Sequence, residues 1–280
     1  MIKLFAFDID GTILDSKSRL TESSKIALSK LDDAGIKVVL ASGRVFSSVR
    51  HNQSIAGISG PIVATNGSVI SLDGENIYKT YPLTESNLRD LYNFSVEYKL
   101  DFHFYDEKNY YTNRLNLDKI NHLKINNDYG MNYQANLIYS NDPVNYLLDQ
   151  GKKAFKFQIS GFDKKEFSKE AMVDILEKEF GENLYITSSS QSQIEIGNRN
   201  ATKRSSIEEI CKMLGIYNNE VAAIGDAYND IPMVRGAEIG FAMGNAIDDL
   251  KKASDKLVAD NDSGGILEAV NYILEANKNV

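Results

Sequence analysis

Two pairs of aspartates in this chain each follow a short apolar run. Asp8 and Asp10 come directly after the first run, and Asp226 and Asp230 come after another near residue 221. Ligands of open α/β sheets bind at the carboxyl ends of the strands. Carboxylates crowded at such an edge repel one another and lose hydration, which a hard divalent cation offsets by taking their oxygens. We therefore expect the four aspartates to converge on a Mg²⁺ site.

The alternation of strands and helices predicts how this edge is built. Apolar, β-prone runs bounded by turn signals indicate buried parallel strands, and alternating helices favour right-handed crossovers between them. The predicted elements are a helix at 21–34, strands at 37–41 and 61–64, a hairpin at 69–81, a helix at 202–214, strands from 221 and at 239–242, and a helix at 265–275.

The middle of the chain has a different pattern. Between residues 83 and 190 the sequence predicts helices at 85–100 and 164–180 and strands at 102–105 and 154–160. We therefore expect an α/β fold in which a Rossmann-like parallel-sheet core, 1–82 with 191–280, carries an inserted α+β cap domain at 83–190.

Composition narrows the classes of function. The 280 residues are 42% hydrophobic with a net charge of −8, which is enough apolar material for a core and argues against nucleic-acid binding. The sequence has neither a signal-peptide pattern nor an apolar run of about 18 residues, so we expect a cytoplasmic protein without a membrane partner, monomeric or a weak homodimer. Cys211 is the only cysteine, and its setting predicts packing on a helix face.

Four segments, in order, carry a resemblance to a known family. The segments are Asp8-Ile9-Asp10-Gly11-Thr12, Leu40-Ala41-Ser42-Gly43-Arg44, Lys203 at a helix start, and Gly225-Asp226-Ala227-Tyr228-Asn229-Asp230-Ile231-Pro232-Met233. With these segments the sequence resembles the haloacid dehalogenase superfamily and, within it, the Cof-type phosphatases. Weaker likenesses are Thr65-Asn66-Gly67, Met243-Gly244-Asn245-Ala246 and Asp262-Ser263-Gly264-Gly265.

The resemblance implies a role for each aspartate. Asp8 would be the nucleophile that forms an aspartyl-phosphate, and Asp10 the acid and base, with its backbone carbonyl on the metal. Such a role calls for a raised pKa at Asp10. Asp226 would ligate Mg²⁺ directly, and Asp230 would be an outer ligand that also orients Lys203. Dehalogenase members lack the second acid and transport ATPases have lysine there, so Asp10 points to a phosphatase or a phosphomutase.

The resemblance also implies a set of phosphate-binding residues. Lys203 would neutralise the phosphate and the nucleophile, although the family usually has glycine where this chain has Arg204. The remaining residues implied to bind phosphate or substrate are Ile9, Ser42, Gly43, Arg44, Asn66 and Asn229.

Simpler interpretations of these segments stay open. Asp8 to Gly11 could be a solvated turn or a fragment of a calcium loop, the segment at Ser42 an ordinary helix N-cap, and Asn66-Gly67 a hairpin turn. The three histidines, His51, His103 and His122, have no ligand-like spacing and are interpreted as surface or packing residues. An aromatic stripe in the middle third predicts either core or the floor of a substrate pocket; it comprises Phe102, Phe104, Tyr105, Tyr110 and Tyr111.

The resemblance as a whole implies a Mg²⁺-dependent phosphatase for small phosphorylated metabolites such as sugar phosphates, pyridoxal phosphate or flavin precursors. Two alternatives use the same site: a phosphomutase, and a phosphate-sensing regulator without turnover. Asp10 argues against the regulator, because a sensor needs a phosphoryl acceptor but no leaving-group acid.

Overall fold

The computed structural model describes residues 1–114, 136–162, 167–190 and 192–278. The described strands are β1 Leu4–Phe7, β2 Lys37–Ala41, β3 Ile62–Ala64, β4 Val69–Ser71, β5 Ile77–Thr80, β6 Asp101–Tyr105, β7 Asn109–Thr112, β8 Asn136–Tyr139, β9 Lys156–Ser160, β10 Leu184–Ser190, β11 Gln193–Asn198, β12 Val221–Gly225, β13 Ile239–Ala242 and β14 Lys256–Leu257. The described helices are α1 Glu22–Asp33, α2 Phe46–Ile55, α3 Glu85–Glu97, α4 Pro143–Leu148, α5 Lys169–Phe180, α6 Lys203–Leu214, α7 Ile231–Gly236, α8 Asp248–Ala253 and α9 Gly265–Lys278.

The main sheet has the strand order β14-β13-β12-β1-β2-β3-β4-β5. Its strands from β14 to β3 run parallel, and β4 and β5 complete an antiparallel edge. All residues of β1 are buried, and since successive side chains point to opposite faces, both faces of this strand are covered. The predicted α/β fold with a parallel core is confirmed.

The register of this sheet brings the candidate site together. Phe7 lies opposite both Ile224 and Leu40, and Ala41 lies opposite Val63. The loops after β1, β2, β3 and β12 therefore leave the sheet at one edge, as the carboxyl ends of neighbouring parallel strands must.

A second, largely antiparallel sheet has the order β10-β11-β9-β6-β7-β8. It includes β11, so the boundary that we predicted at residue 190 is wrong: β10 and β11 form one antiparallel hairpin, and a cut at 190 would divide it. The two connections between the sheets meet where Asn198 Nδ2 donates a hydrogen bond of 2.9 Å to the carbonyl of Pro82. The helix predicted at 164–180 begins only at Lys169, capped by Ser168, and 163–166 lie outside the described residues.

The two faces of the second sheet differ in chemistry. One face is apolar and packs with α3 and α5 into a core of its own; it includes Phe102, Phe104, Phe157, Ile159, Ile194 and Ile196. Alternate residues of the same strands give a polar face that is nevertheless buried: His103, Tyr105, Lys156, Gln158, Ser160 and Glu195. Buried polar side chains need hydrogen-bonding partners, and the polar contacts of this face lead to the loops of the main sheet.

The structure also bears on the predictions about Cys211, the histidines and membrane-spanning segments. Cys211 is buried in the main hydrophobic core, as predicted. His103 is a packing residue that stacks on Tyr110, whereas His122 lies outside the described residues. No helix within the described ranges combines the length and the hydrophobicity that crossing a bilayer requires.

Candidate active site

Asp8 stands at the end of β1 and is almost completely buried. Its backbone N–H donates to the carbonyl of Ile224 at 3.1 Å, which continues the pairing of β1 with β12. The chain then turns at Gly11, where φ is +72° and a Cβ would lie 2.4 Å from Asp226 Oδ2. Thr12 Oγ1 donates to the other oxygen of Asp226 at 3.1 Å. Glycine is therefore required for the two acidic loops to meet.

Lys203 links the two acidic loops through ion pairs with Asp8 and Asp230. Its Nζ lies 2.5 Å from Asp8 Oδ1 and 2.6 Å from Asp230 Oδ1, and its side chain is fully buried. Lys203 is the first residue of α6, and its position is set by Thr202, which caps the helix by accepting from Ser205 N at 3.0 Å.

Asp230 holds its own loop as well as the lysine. Its Oδ2 accepts the backbone N–H groups of Asp226 and Ala227, each at 3.0 Å. Both carboxylate oxygens of Asp230 thus already have donors. This arrangement suits the predicted orienting and outer-ligand position better than direct coordination.

The carboxylates form a donor set that suits a hard cation. One oxygen from each of Asp8, Asp226 and Asp230 lies within 4.8 Å of the others. Burial, which outweighs the opposing charge of Lys203, raises the pKa of Asp8 well above its usual range, and neighbouring carboxylates add to the rise. Burial and the charge of Asp230 likewise raise the pKa of Asp226 to about 7. The site therefore holds more negative charge than Lys203 compensates, and an oxygen-ligated divalent cation fits it.

Asp10 differs from the sequence prediction. Its carboxylate is 53% exposed and forms a two-pronged ion pair with Arg44, at 2.8 Å from Nε and 2.5 Å from Nη2. Partial desolvation acts to raise the pKa of Asp10, but the charge and hydrogen bonds of Arg44 outweigh it, so the pKa is lowered. The raised pKa expected from the neighbourhood of Asp8 is therefore wrong, because Arg44 is the closer charge.

The loop after β2 is not a helix cap. Ser42 is buried and its Oγ accepts the N–H of Arg44 at 3.2 Å, whereas α2 begins only at Phe46, with Val45 in the capping position. The loop after β1 follows a strand, which removes the flanking helix that an EF-hand calcium loop requires. The helix-cap interpretation of Ser42 and the calcium-loop interpretation of Asp8 to Gly11 are thereby excluded.

Asn66 joins the loops of the main sheet to the second sheet. It has a left-handed backbone with φ of 58° in the tight connection between β3 and β4. Its Nδ2 donates to Glu195 Oε2 at 2.9 Å, and its Oδ1 accepts from Asn229 Nδ2 at 3.0 Å. The hairpin interpretation and the site interpretation thus both describe this residue.

Two residues at the site were missed by the sequence reasoning. Lys156 Nζ, on β9, lies 2.7 Å from Glu195 Oε1 on β11 and donates to the carbonyl of Gly43 at 2.7 Å. Their signal was the period-two alternation of polar and apolar residues along 154–160 for Lys156 and along 193–197 for Glu195, which predicts strands with one polar face. That alternation alone does not reveal that the polar face is buried.

Two further residues can be placed. The side chain of Ile9 lies in the main core, so only its backbone is available to a phosphate. Arg204 leaves the start of α6 regular: its Nε pairs with Glu208 at 2.7 Å and its Nη1 donates to the carbonyl of Gly236.

Comparison with known proteins agrees with this geometry. Residues 5–270 match the family model of the haloacid dehalogenase-like hydrolases. The chain belongs to this family. It is 27% identical to the phosphatase YwpJ of Bacillus subtilis, over 98% of this chain and 100% of that protein. It is 26% identical to YcsE of B. subtilis, a 5-amino-6-(5-phospho-D-ribitylamino)uracil phosphatase, over 97% of this chain and 95% of that protein.

The fold of a solved structure also agrees with this family. The chain superposes on a haloacid dehalogenase-like hydrolase from B. subtilis with a TM-score of 0.84 at 25% identity, covering 96% of this chain and 99% of that chain. Family and relatives together identify a phosphoric monoester hydrolase that acts on small phosphorylated substrates.

Proposed function

We propose that this phosphatase is Mg²⁺-dependent and works through an aspartyl-phosphate on Asp8. The observation that carries the proposal is the convergence of Asp8, Asp226 and Asp230 with one buried ammonium group, that of Lys203. A bound Mg²⁺ would supply charge neutralisation between a carboxylate nucleophile and a phosphate dianion, held by Asp8, the Asp10 carbonyl and Asp226, with Asp230 behind them.

Asp8 is arranged to attack. Lys203 fixes the orientation of its carboxylate, so one oxygen can approach phosphorus while the ammonium offsets the growing charge. In the first step an Asp8 oxygen–phosphorus bond forms and the bond to the leaving oxygen breaks. Asp10 gives its proton to that oxygen. In the second step Asp10 takes a proton from the water that attacks phosphorus, the Asp8 oxygen–phosphorus bond breaks, and inorganic phosphate leaves.

Arg44 reconciles the low pKa of Asp10 with its proposed role as an acid. In the structure the guanidinium pairs with Asp10. A phosphoryl group at Ser42 and Gly43 would compete for the same guanidinium, since Arg binds phosphate in the same forked geometry as a carboxylate. Losing Arg44 would raise the pKa of Asp10 at the moment when a proton is needed on it.

We infer from the second sheet that the leaving group is polar and rich in hydroxyl groups. Its buried polar face carries imidazole, amide and hydroxyl side chains rather than an apolar lining, among them His103, Gln158 and Ser160. Sugar phosphates and ribityl-bearing flavin precursors have such a leaving group, and the name of one relative specifies a ribitylamino phosphate. Pyridoxal phosphate, an aromatic aldehyde with one ring hydroxyl, fits less well.

Phosphate release from a panel of phosphorylated metabolites tests the proposal. We expect turnover with Mg²⁺, loss of turnover in excess chelator, and recovery when Mg²⁺ is added back. Asp8→Asn should keep the fold and form no phosphoenzyme detectable by intact mass after rapid quenching. Full activity in chelator, or turnover by Asp8→Asn at the unmodified rate, would refute it. Release of phosphate without any sugar bisphosphate separates hydrolysis from mutase chemistry.

A further inference from the structure

The ion pair of Lys156 and Glu195 is the most heavily buried charge pair of the second sheet among the described residues. Its side chains are 5% and 4% exposed. The two residues are diagonal neighbours on one face of the sheet, because Glu195 lies opposite Gln158 and Lys156 lies opposite Gly197. Both partners therefore belong to the same sheet, and the pair forms without help from the main sheet.

Each partner also makes one contact across to the main sheet. Lys156 Nζ donates to the carbonyl of Gly43 at 2.7 Å, and Glu195 Oε2 accepts from Asn66 Nδ2 at 2.9 Å. Gly43 follows the buried Ser42, and the Asn66 N–H donates to the Ser42 carbonyl at 3.0 Å. The pair thus holds the loop at Ser42 from two sides.

Packing leaves little room for this loop to move. A Cβ at Gly43 would lie 3.0 Å from Asn66 Oδ1, 3.4 Å from Glu195 Oε1 and 3.5 Å from Lys156 Nζ. Tyr105 packs beside the same loop: its ring lies 4.9 Å from Lys156 Nζ and contacts Val45, which follows the loop.

We propose that Lys156 and Glu195 are positioning residues that hold Gly43 and Asn66 so that the loop from Ser42 to Arg44 is shaped to bind the phosphoryl group. The proposal rests on the proposed function, in which that loop receives phosphate. Burying the pair removes both charges from water, and the charge-assisted bonds to Gly43 and Asn66 offset that cost only when the two sheets are in contact. The shape of the phosphate loop therefore depends on the second sheet.

Binding of inorganic phosphate tests the inference without requiring turnover. We would measure the Kd of phosphate by titration calorimetry with saturating Mg²⁺ for the unmodified protein, Lys156→Met and Glu195→Met. Each variant loses a hydrogen bond to a charged group, so Kd should rise at least about tenfold. The matched control is Lys152→Met, which breaks the ion pair with Asp106 in the same part of the chain and should leave Kd unchanged.

A double-mutant cycle separates positioning from general loss of stability. Asn66→Ala and Glu195→Met remove opposite ends of one hydrogen bond, so the double variant should bind phosphate about as weakly as the weaker single variant. All measurements are made well below each variant's Tm. An unchanged Kd in Lys156→Met, or independent, multiplying effects in the cycle, would overturn the inference. Neither outcome touches the proposed function, which fails instead if the unmodified protein releases no phosphate or Asp8→Asn retains activity.

Discussion

Lys203 Nζ lies 2.5 Å from Asp8 Oδ1, although the two residues are 195 positions apart in the sequence. The same ammonium contacts Asp230, and all three side chains are buried. Burial on its own would lower the pKa of Lys203, but the carboxylates of Asp230 and Asp8 raise it, so the lysine stays charged at neutral pH. Lys203 is therefore a permanent positive charge beside the nucleophile.

Removing that charge should affect every substrate alike. Lys203→Met keeps most of the volume but leaves two buried carboxylates without their partner. We expect kcat/KM to fall by about 10²-fold or more for each substrate, and the free energy of unfolding at pH 8 to fall by about 3–5 kcal/mol. Rates on a substrate panel and urea denaturation provide the measurements.

The control for this variant is an exposed lysine. Lys79→Met breaks an ion pair with Glu209 in which Lys79 is 42% exposed, and such pairs contribute about 0–1 kcal/mol. It should change neither quantity appreciably. Reordering of the substrates by Lys203→Met would contradict a role common to all of them.

Stability of the metal-free protein should depend on pH through Asp226. Its pKa rises from an ordinary value of 3.8 to about 7 on folding, so between these values the folded state binds more protons than the unfolded state. The contribution of Asp226 to stability therefore falls as pH rises from about 4 to about 7 and is level above that. Added Mg²⁺ should raise the Tm strongly at pH 8 and little at pH 5, because ligands must be deprotonated.

Thermal melts with chelator or Mg²⁺ across this pH range check the prediction. Asp226→Asn removes the titrating group, so its metal-free Tm should vary less with pH and respond less to Mg²⁺. A Mg²⁺ shift of equal size at pH 5 and pH 8 would rule out this titration.

Gly11 and Gly35 offer a matched pair for the acidic loop. Both have positive φ, +72° and +70°, but a Cβ at Gly11 meets the carboxylate of Asp226 whereas one at Gly35 meets nothing within 4 Å. Gly35→Ala should cost only the left-handed backbone penalty, about 1–2 kcal/mol, with activity intact. Gly11→Ala should also displace Asp226 and weaken Mg²⁺ activation, measured as the Mg²⁺ concentration for half-maximal rate. Equal behaviour of the two variants would show that the close approach is unimportant.

Asp10→Asn should discriminate between leaving groups. An acid is needed most when the leaving oxygen is a strong base, so the rate on phenyl phosphate should fall far more than the rate on 4-nitrophenyl phosphate. Asn keeps the size of the side chain and, with Arg44 nearby, a hydrogen-bond acceptor. Equal losses on both substrates would remove Asp10 from the role of leaving-group acid.

The parallel sheet and the meeting of its loops were predictable because apolar strands and turn residues are local signals. Asp8, Lys203 and Asp230 met as predicted, since parallel strands place such loops at one edge. The pKa of Asp10 was not predictable, because it depends on which side chain Arg44 faces. A guanidinium can reach several carboxylates, and sequence spacing does not choose between them.

The second sheet was harder to predict from the sequence than the main sheet. Only β6 and β9 of its six strands were predicted, from their β-prone runs, and Lys156 and Glu195 were overlooked because charged residues on a strand usually face water. Only the contact between the sheets makes them interior. The contact between the sheets also explains the misplaced boundary at residue 190. β11 lies beyond that residue but belongs to the second sheet, and its Glu195 contacts Asn66 of the main sheet.

The aromatic stripe divides into two groups with different expected effects. Phe102, Phe104 and Tyr111 lie in the core of the second sheet, whereas Tyr105 and Tyr110 pack with Val45 beside the phosphate loop. Tyr105→Phe removes the hydroxyl that lies 2.7 Å from His103 Nε2 and should change the order of preferred substrates while Mg²⁺ dependence and the phosphoenzyme persist.

Phe104→Leu serves as the control, because it should lower Tm and keep the order of substrates. Relative kcat/KM values on a panel of sugar, ribityl and pyridoxal phosphates decide between the two groups. The hydroxyl of Tyr105 lies on the polar face and the ring of Phe104 on the apolar face of the same strand. We therefore expect these two neighbouring residues to affect different properties, substrate selectivity for Tyr105 and stability for Phe104. If Phe104→Leu reordered the substrates and Tyr105→Phe did not, the leaving group would have to be recognised elsewhere than on the polar face.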